Sequence, residues 1–326
     1  MAARPKMAVI GGGPMGRAIG RILGKLSAPV SIWARRPELR ERLRAELPGV
    51  EVPAELKAAV DGADLVMFAV PANELEIAAK AYGEFATGDQ IVLSATRGVG
   101  PGFTLPHELI RRQTCIRKIG VLGGPLHARE LALGRQINLV VASRFPEVIE
   151  TVRAMIAGAP VALSASKDVL GVEVAGAIAN VASLAAGMSE GLELSDTAKG
   201  VLLTHGLADA KRLGVALGAD EATFAGLAGV GELIPRNVTS MDRHLEVGRR
   251  LAKGETLAAA LSAVEGHVEG VTTAKAAVER ATVLRLKLPL VAAVAAVLDQ
   301  QASPKEALEA VLHLGLELEG RSRARA

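Results

Sequence analysis

Residues 7–16 read MAVIGGGPMG. Four apolar residues run directly into glycines spaced G-x-G-x-x-G, at Gly11, Gly13 and Gly16, and a helical pattern follows from Met15 to Lys25. A short buried strand, a tight turn and a helix, in that order, start a βαβ unit. Gly11 permits the turn, Gly13 lets the backbone approach a pyrophosphate, and Gly16 lets the helix pack on the strand. Pro14 and Met15 open a helix whose free N–H groups and positive dipole end face phosphate. The bare motif also fits a plain glycine-rich turn. The strand before it and the helix after it favour a dinucleotide, NAD or NADP.

Outward from this loop the pattern repeats. Apolar runs at Val30 to Ala34, Leu65 to Val70, Gln90 to Leu93 and Lys118 to Leu122 read as buried strands of a parallel sheet. Helical stretches lie between them at Pro37 to Ala45, Glu55 to Val60 and Glu74 to Tyr82, and Ile137 to Ala142 and Val161 to Ser164 are further strand candidates. Alternation of this kind predicts an α/β domain with a doubly wound Rossmann sheet over 1–165. Beyond Ser166 no strand pattern is found. Val169 to Met188 is apolar nearly all round, the mark of a buried helix, and Leu257 to Val264 and Lys305 to Leu314 are amphipathic. An all-α domain is therefore expected over 166–316, with a basic, solvated tail at 317–326.

Composition narrows the function classes. The chain has 326 residues and a formal charge of +3, an excess that Arg321, Arg323 and Arg325 in the tail account for. No basic stripe with interleaved aromatics is found, so no nucleic-acid partner is expected. Cys115 is the only cysteine, which excludes an internal disulfide and a thiolate metal cluster, and no metal site is expected. The opening residues lack the apolar core of a signal peptide. The late apolar run Leu288 to Leu298 is far short of the roughly 20 residues of a membrane span. A cytoplasmic protein without a membrane span is expected.

Two spots bear on the cofactor. The second strand ends in Trp33-Ala34-Arg35-Arg36, with no acidic residue for a ribose hydroxyl. Arg35 and Arg36 suit the 2′-phosphate of NADP, which is slightly favoured over NAD; two solvated arginines at a helix start are the bland reading. Asn73 and Glu74 follow the third strand, where a Rossmann sheet lines its crevice or simply turns into a helix.

Several longer segments carry a resemblance. They are WARRPEL (33–39), ATRGVG (95–100), GGPLHARELA (123–132), EVAGAIANVASLAAGMSEGLELSDTAKG (173–200), TFAGLAGVGELI (223–234) and DRHLEVGRRLAKG (242–254). With the glycine loop, they resemble NAD(P)-dependent glycerol-3-phosphate dehydrogenases of the bacterial type, from about residue 7 to 316. The resemblance implies hydride transfer between a nicotinamide and the central carbon of glycerol 3-phosphate or dihydroxyacetone phosphate, which supplies a glycerophospholipid precursor. It places a small phosphorylated substrate between the two domains. A homodimer through the apolar helical half is compatible with it, although no face is identified.

Residue by residue, the resemblance departs from the family. The family's active-site lysine corresponds to Ala179, which has no proton to give. Asn180 beside it is kept. A second lysine corresponds to Arg97, which keeps the charge but is a poor proton donor. Glu232 stands for an aspartate. Asp242-Arg243-His244 stands for Ser-Arg-Asn, so Arg243 is kept while Asp242 brings a negative charge toward a phosphate. Asn180, Glu232, Arg243 and Arg97 are the expected catalytic residues, and Gly124, His127, Asp242 and His244 the expected substrate contacts. Gly11, Gly13, Pro14, Met15, Gly16, Arg35, Arg36, Arg97, Ala128 and Glu269 are the expected cofactor contacts. Lys199, His205, His127 and His244 are candidates for a relocated acid/base. Three readings stay open: a glycerol-3-phosphate dehydrogenase with a relocated acid/base, a dehydrogenase for another substrate, and a cofactor-binding homologue without turnover.

Overall fold

The computed structural model describes residues 4–238 and 242–315; the basic tail expected at 317–326 lies outside the described residues. Seven strands make one sheet: β1 (Met7–Ile10), β2 (Val30–Trp33), β3 (Leu65–Phe68), β4 (Ile91–Ser94), β5 (Ile119–Gly123), β6 (Ile137–Ser143) and β7 (Val161–Ser166). Their order is β2-β1-β3-β4-β5-β6-β7. β1 is thus flanked by β2 and β3, and the chain reverses its direction of winding there. In an open α/β sheet, the crevice beyond the carboxyl ends at such a point is where ligands bind.

Helices α1 (Pro14–Lys25), α2 (Pro37–Glu46), α3 (Leu56–Val60), α4 (Ala72–Gly83), α5 (Pro106–Gln113), α6 (Ala128–Ala132) and α7 (Pro146–Met155) join the strands. Proline opens α1, α2, α5 and α7, where its preset φ fits and its missing N–H costs nothing. One pairing departs from the expected parallel sheet: β6 runs antiparallel to β5. The segment after Gly123 turns back at Gly124, whose φ is +79°, and carries only the short helix α6.

The remaining helices are α8 (Val169–Gly191), α9 (Asp196–Leu217), α10 (Glu221–Ala225), α11 (Val230–Val238), α12 (Arg243–Ala252), α13 (Leu257–Ser262), α14 (Glu269–Leu284), α15 (Pro289–Leu298) and α16 (Pro304–Leu312). Helix α8 is long and apolar enough by composition to cross a membrane, but here nearly its whole length is buried in the core. Small residues let its neighbours close in. A Cβ added at Gly187 would lie 2.1 Å from Leu245 O, and one at Gly248 would lie 2.2 Å from Leu184 O. The contact between α8 and α12 is therefore backbone against backbone. That suits a core built from Ala, Val, Leu and Ile, in which aromatics are only 2% of the chain.

Polar groups inside this core are few and have structural work. Asp209 on α9 is fully buried and accepts hydrogen bonds from Leu290 N (2.9 Å) and Val291 N (3.1 Å), capping α15 from another helix, with Arg212 Nη1 at 3.1 Å. Burial pushes its carboxyl up to about 7, against the pull of those hydrogen bonds and of Arg212. The folded state therefore keeps a proton that the unfolded chain releases near pH 4, so this group's contribution to stability falls as pH rises from about 4 to 7. Urea unfolding at several pH values should show the wild type losing ground to Asp209→Asn across that window, with a slope of up to ~1.4 kcal/mol per pH unit. A difference independent of pH would contradict the assignment.

Candidate active site between the sheet and the helical half

The glycine loop sits at the carboxyl end of β1. Gly11 has φ +124° and donates from N to Trp33 O at 2.9 Å. A Cβ on Gly11 would lie 2.5 Å from Ala69 O, and one on Gly16 would lie 2.0 Å from Gly11 O. Both glycines are required by the protein's own packing. Gly13 differs. It precedes α1 in extended conformation, and a Cβ there would meet no protein atom nearer than Ala69 O at 4.0 Å. The side it leaves bare adjoins the uncapped start of α1, where Pro14 and Met15 follow and N–H groups lack intrahelical partners. These features fit a dinucleotide pyrophosphate.

At the end of β2, Arg35 is mostly exposed and makes a two-pronged contact with Glu74, Nη1 to Oε2 at 2.6 Å and Nη2 to Oε1 at 3.2 Å. Arg36 precedes α2 and is exposed, and its side chain makes no polar contact among the described residues.

Beyond β4 the chain builds a closed ring of hydrogen bonds. Arg97 Nη1 donates to Glu232 Oε1. Arg236 Nε donates to the same oxygen at 2.6 Å. Arg236 Nη1 donates to Asn180 Oδ1, and Asn180 Nδ2 donates to Arg97 O at 2.9 Å. Arg97 also donates from Nη2 to Gly124 O (3.1 Å) and Leu126 O (3.0 Å). Glu232 is 0% exposed, Asn180 1% and Arg236 6%, and the Arg97 side chain 12%, so the ring is largely buried. It joins the sheet half, through Arg97, Gly124 and Leu126, to α8 and α11. Burial works against both guanidinium charges. Glu232 and Asp242 lift Arg236 above its ordinary value all the same, while Arg97 sits below its own.

Around the ring lie the other expected residues. Asp242 is turned to the start of α12, where its Oδ1 accepts from His244 N (2.7 Å) and pairs with His244 Nδ1 (2.9 Å). Burial alone would favour the neutral acid. The hydrogen bonds from His244 and the charge of Arg236 hold Asp242 well below the usual carboxylate range. The charge expected to confront a substrate phosphate is thus taken up as a helix cap. The Arg243 side chain makes no hydrogen bond or ion pair among the described residues, and its Nε is buried without a partner. Glu269 accepts from Ala72 N at 3.0 Å and lies where a Cβ on Gly98 would come within 2.9 Å of its Oε2, so it fastens α14 to the start of α4. His127 precedes α6 and Ala128 begins it; burial, Arg236 and Arg97 lower the His127 pKa, keeping the ring neutral near pH 7.

Two expected acid/base candidates lie elsewhere. Lys199 is held by Glu190 and by Asn237 O at 2.6 Å. His205 on α9 has Arg212 as its charged neighbour, outside the ring. Ala179 is 5% exposed and lines a small apolar cavity with Ala175, Gly206, Leu207, Gly229 and Leu233. Sequence reasoning missed Arg236. A signal existed, since Glu232 and Arg236 stand four apart on one helix face, but Pro235 between them obscures the helix.

The sequence compares closely with known proteins. Residues 6–149 match the family model described as NAD-dependent glycerol-3-phosphate dehydrogenase N-terminus, and 168–309 match the one described as the C-terminus of the same enzyme. A protein of Moorella thermoacetica named glycerol-3-phosphate dehydrogenase [NAD(P)+] is 35% identical, over 88% of this chain and 89% of its own. One of Polaromonas sp. with the same name is 34% identical over 95% and 98%. The crystal structure of glycerol-3-phosphate dehydrogenase from Coxiella burnetii superposes with a TM-score of 0.91 at 23% identity, covering 95% of this chain and 99% of that one. A ketopantoate reductase from Ralstonia eutropha shares the fold at a TM-score of 0.60 and 20% identity, covering 94% and 100%.

The two glycine environments separate structural from binding roles. Gly13→Ala should leave the thermal midpoint within about 2 °C of wild type and weaken NAD(P)H binding at least tenfold by fluorescence titration. Gly16→Ala should lower the midpoint by well over that amount. Equal effects of the two substitutions on stability would refute the distinction.

Proposed function

The chain belongs to the NAD-dependent glycerol-3-phosphate dehydrogenase family, and from that premise we propose that it interconverts dihydroxyacetone phosphate and glycerol 3-phosphate with NADP(H) or NAD(H). The supporting observation is the buried ring of Asn180, Arg97, Glu232 and Arg236 at the carboxyl end of the sheet. When bound, the nicotinamide supplies or accepts the hydride. Gly11 to Gly16 and the start of α1 hold its pyrophosphate, and Arg35 and Arg36 favour a 2′-phosphate. Glu74 already neutralises Arg35, so the preference for NADP is expected to be modest.

The chain's own part in the reaction is orientation and charge. Arg243 is the arginine of the cluster that makes no ion pair among the described residues, and it receives the substrate phosphate. Arg236 is fixed by two partners beside Asn180, next to the position where the resemblance expects a lysine and Ala179 stands. A fixed guanidinium there stabilises negative charge on the reacting oxygen without giving up a proton. Missing general-acid help lowers a rate by roughly two to four orders of magnitude, so slow turnover is expected. In the reductive direction the product is a glycerophospholipid backbone.

A second reading is favoured by the charge count. Arg97, Arg236 and Arg243 face Glu232, Asp242 and Glu269, three against three, so the cluster brings no net attraction for a phosphate dianion. A less charged hydroxy or keto compound of similar size then becomes the substrate.

Absorbance of NADPH and NADH at catalytic protein concentration, with dihydroxyacetone phosphate added, decides between them. Oxidation of either nucleotide is expected, with Arg236→Gln lowering kcat/KM at least 100-fold while nucleotide binding is unchanged. Tight nucleotide binding with turnover only of uncharged ketones would replace the first reading by the second. Arg35→Ala should raise the KM for NADPH more than that for NADH; an equal rise would remove Arg35 from 2′-phosphate recognition.

A further inference from the structure

Behind the ring, one carboxylate joins several helices. Glu190 stands in the last turn of α8, the helix that carries Asn180. Its Oε1 accepts from Lys199 Nζ on α9, and its Oε2 accepts from Arg249 Nε on α12 at 2.6 Å. Lys199 Nζ also donates to Asn237 O at 2.6 Å. That oxygen is among the last four carbonyls of α11, which a helix by itself leaves without donors. All three charged side chains are partly buried. Burial would favour the neutral form of Glu190, but the hydrogen bonds from Lys199 and Arg249 hold its carboxyl below the usual range.

Helix α11 needs an outside hold. Pro235 has no N–H to give to Gly231 O, so the helix's own hydrogen bonding is incomplete. Glu232 fixes its forward end in the ring, and the Lys199 ammonium fixes its far end, where the helix dipole favours a cation. Helix α12 reaches the same carboxylate through Arg249, about 9 Å along the axis from Arg243. Arg236 has partners of its own in the ring. The Arg243 side chain has none among the described residues, so its reach toward a ligand is set by where α12 lies.

Resting on the dehydrogenase reading of the site, we infer that Lys199 and Glu190 form a positioning pair, which sets Arg243 at the spacing from Arg236 that a phosphorylated substrate requires. Lys199 directs its ammonium at two fixed acceptors, so it holds helices and transfers no proton. Without it, Asn237 O loses this donor, Glu190 keeps Arg249 alone, and α11 and α12 lose their common anchor. The ring still holds Arg236 and Asn180 toward the reacting oxygen. The loss therefore falls on phosphate binding, whose arginine depends on its helix for position, more than on the hydride step.

The test uses the full chain and follows reduction of dihydroxyacetone phosphate with the nucleotide that the wild type oxidises. Lys199→Met removes the ammonium and keeps an unbranched stem. Its KM for dihydroxyacetone phosphate should rise at least about tenfold, since a misplacement of about 1 Å can cost about 100-fold. Its kcat should stay within about threefold of wild type, the mark of lost substrate binding. Nucleotide binding, read by fluorescence titration without turnover, should be unchanged. Glu190→Gln should give the same signature, and the double variant should be no worse than the worse single one, because the pair acts as a unit. An unchanged KM, a fall in kcat at constant KM, a matching loss of nucleotide binding, or additive effects of the two substitutions overturns the positioning role alone. If the thermal midpoint shows Lys199→Met poorly folded, Glu190→Gln carries the test; if neither folds, the pair is purely structural and the inference falls. Absence of turnover of dihydroxyacetone phosphate by the wild type overturns the dehydrogenase reading and this inference with it.

Discussion

A single buried carboxylate joins the two halves of this protein. Glu232 on α11 holds Arg97 from the sheet half and Arg236 from its own helix on one oxygen. Charges so deeply placed persist only because each is matched; removing one partner of such a group typically costs about 3–5 kcal/mol. Asn180 closes the ring from α8 and ties it back to the Arg97 carbonyl. The domains are thus registered against each other by polar groups that cannot be rearranged singly. Any ligand between them meets a preorganised wall.

The rest of the architecture serves that registration. The sheet places the glycine loop and the strand ends carrying Arg97 and Gly124 on one edge. Helix α8 gives Asn180 a fixed position by being enclosed on all sides, with backbone contacts at Gly187 and Gly248 too close to allow sliding. Glu269 adds a second fastening, from α14 to the first N–H of α4. The chemistry needs orientation above all, and these contacts supply it.

Two residues of the cluster take on physical meaning in this setting. Ala179 lines a small apolar cavity, while a buried guanidinium from Arg236 stands beside the neighbouring Asn180. Asp242 caps α12, so its charge is turned toward the amide and the ring of His244.

Much of the fold was legible in the chain itself. Apolar runs and the glycine spacing marked the strands, the loop and the buried course of α8, because period and turn chemistry are local properties. The reversed strand β6 was not legible, since strand direction depends on how the segment after Gly124 packs. The site was half legible. Asn180, Glu232 and Arg243 could be named, whereas the partner of Arg97 lies 135 positions away and Arg236 was overlooked behind Pro235. Which charges meet is decided when helices and sheet close on one another and water is excluded. Only then does a carboxylate have to choose its cations, and no stretch of sequence contains that choice.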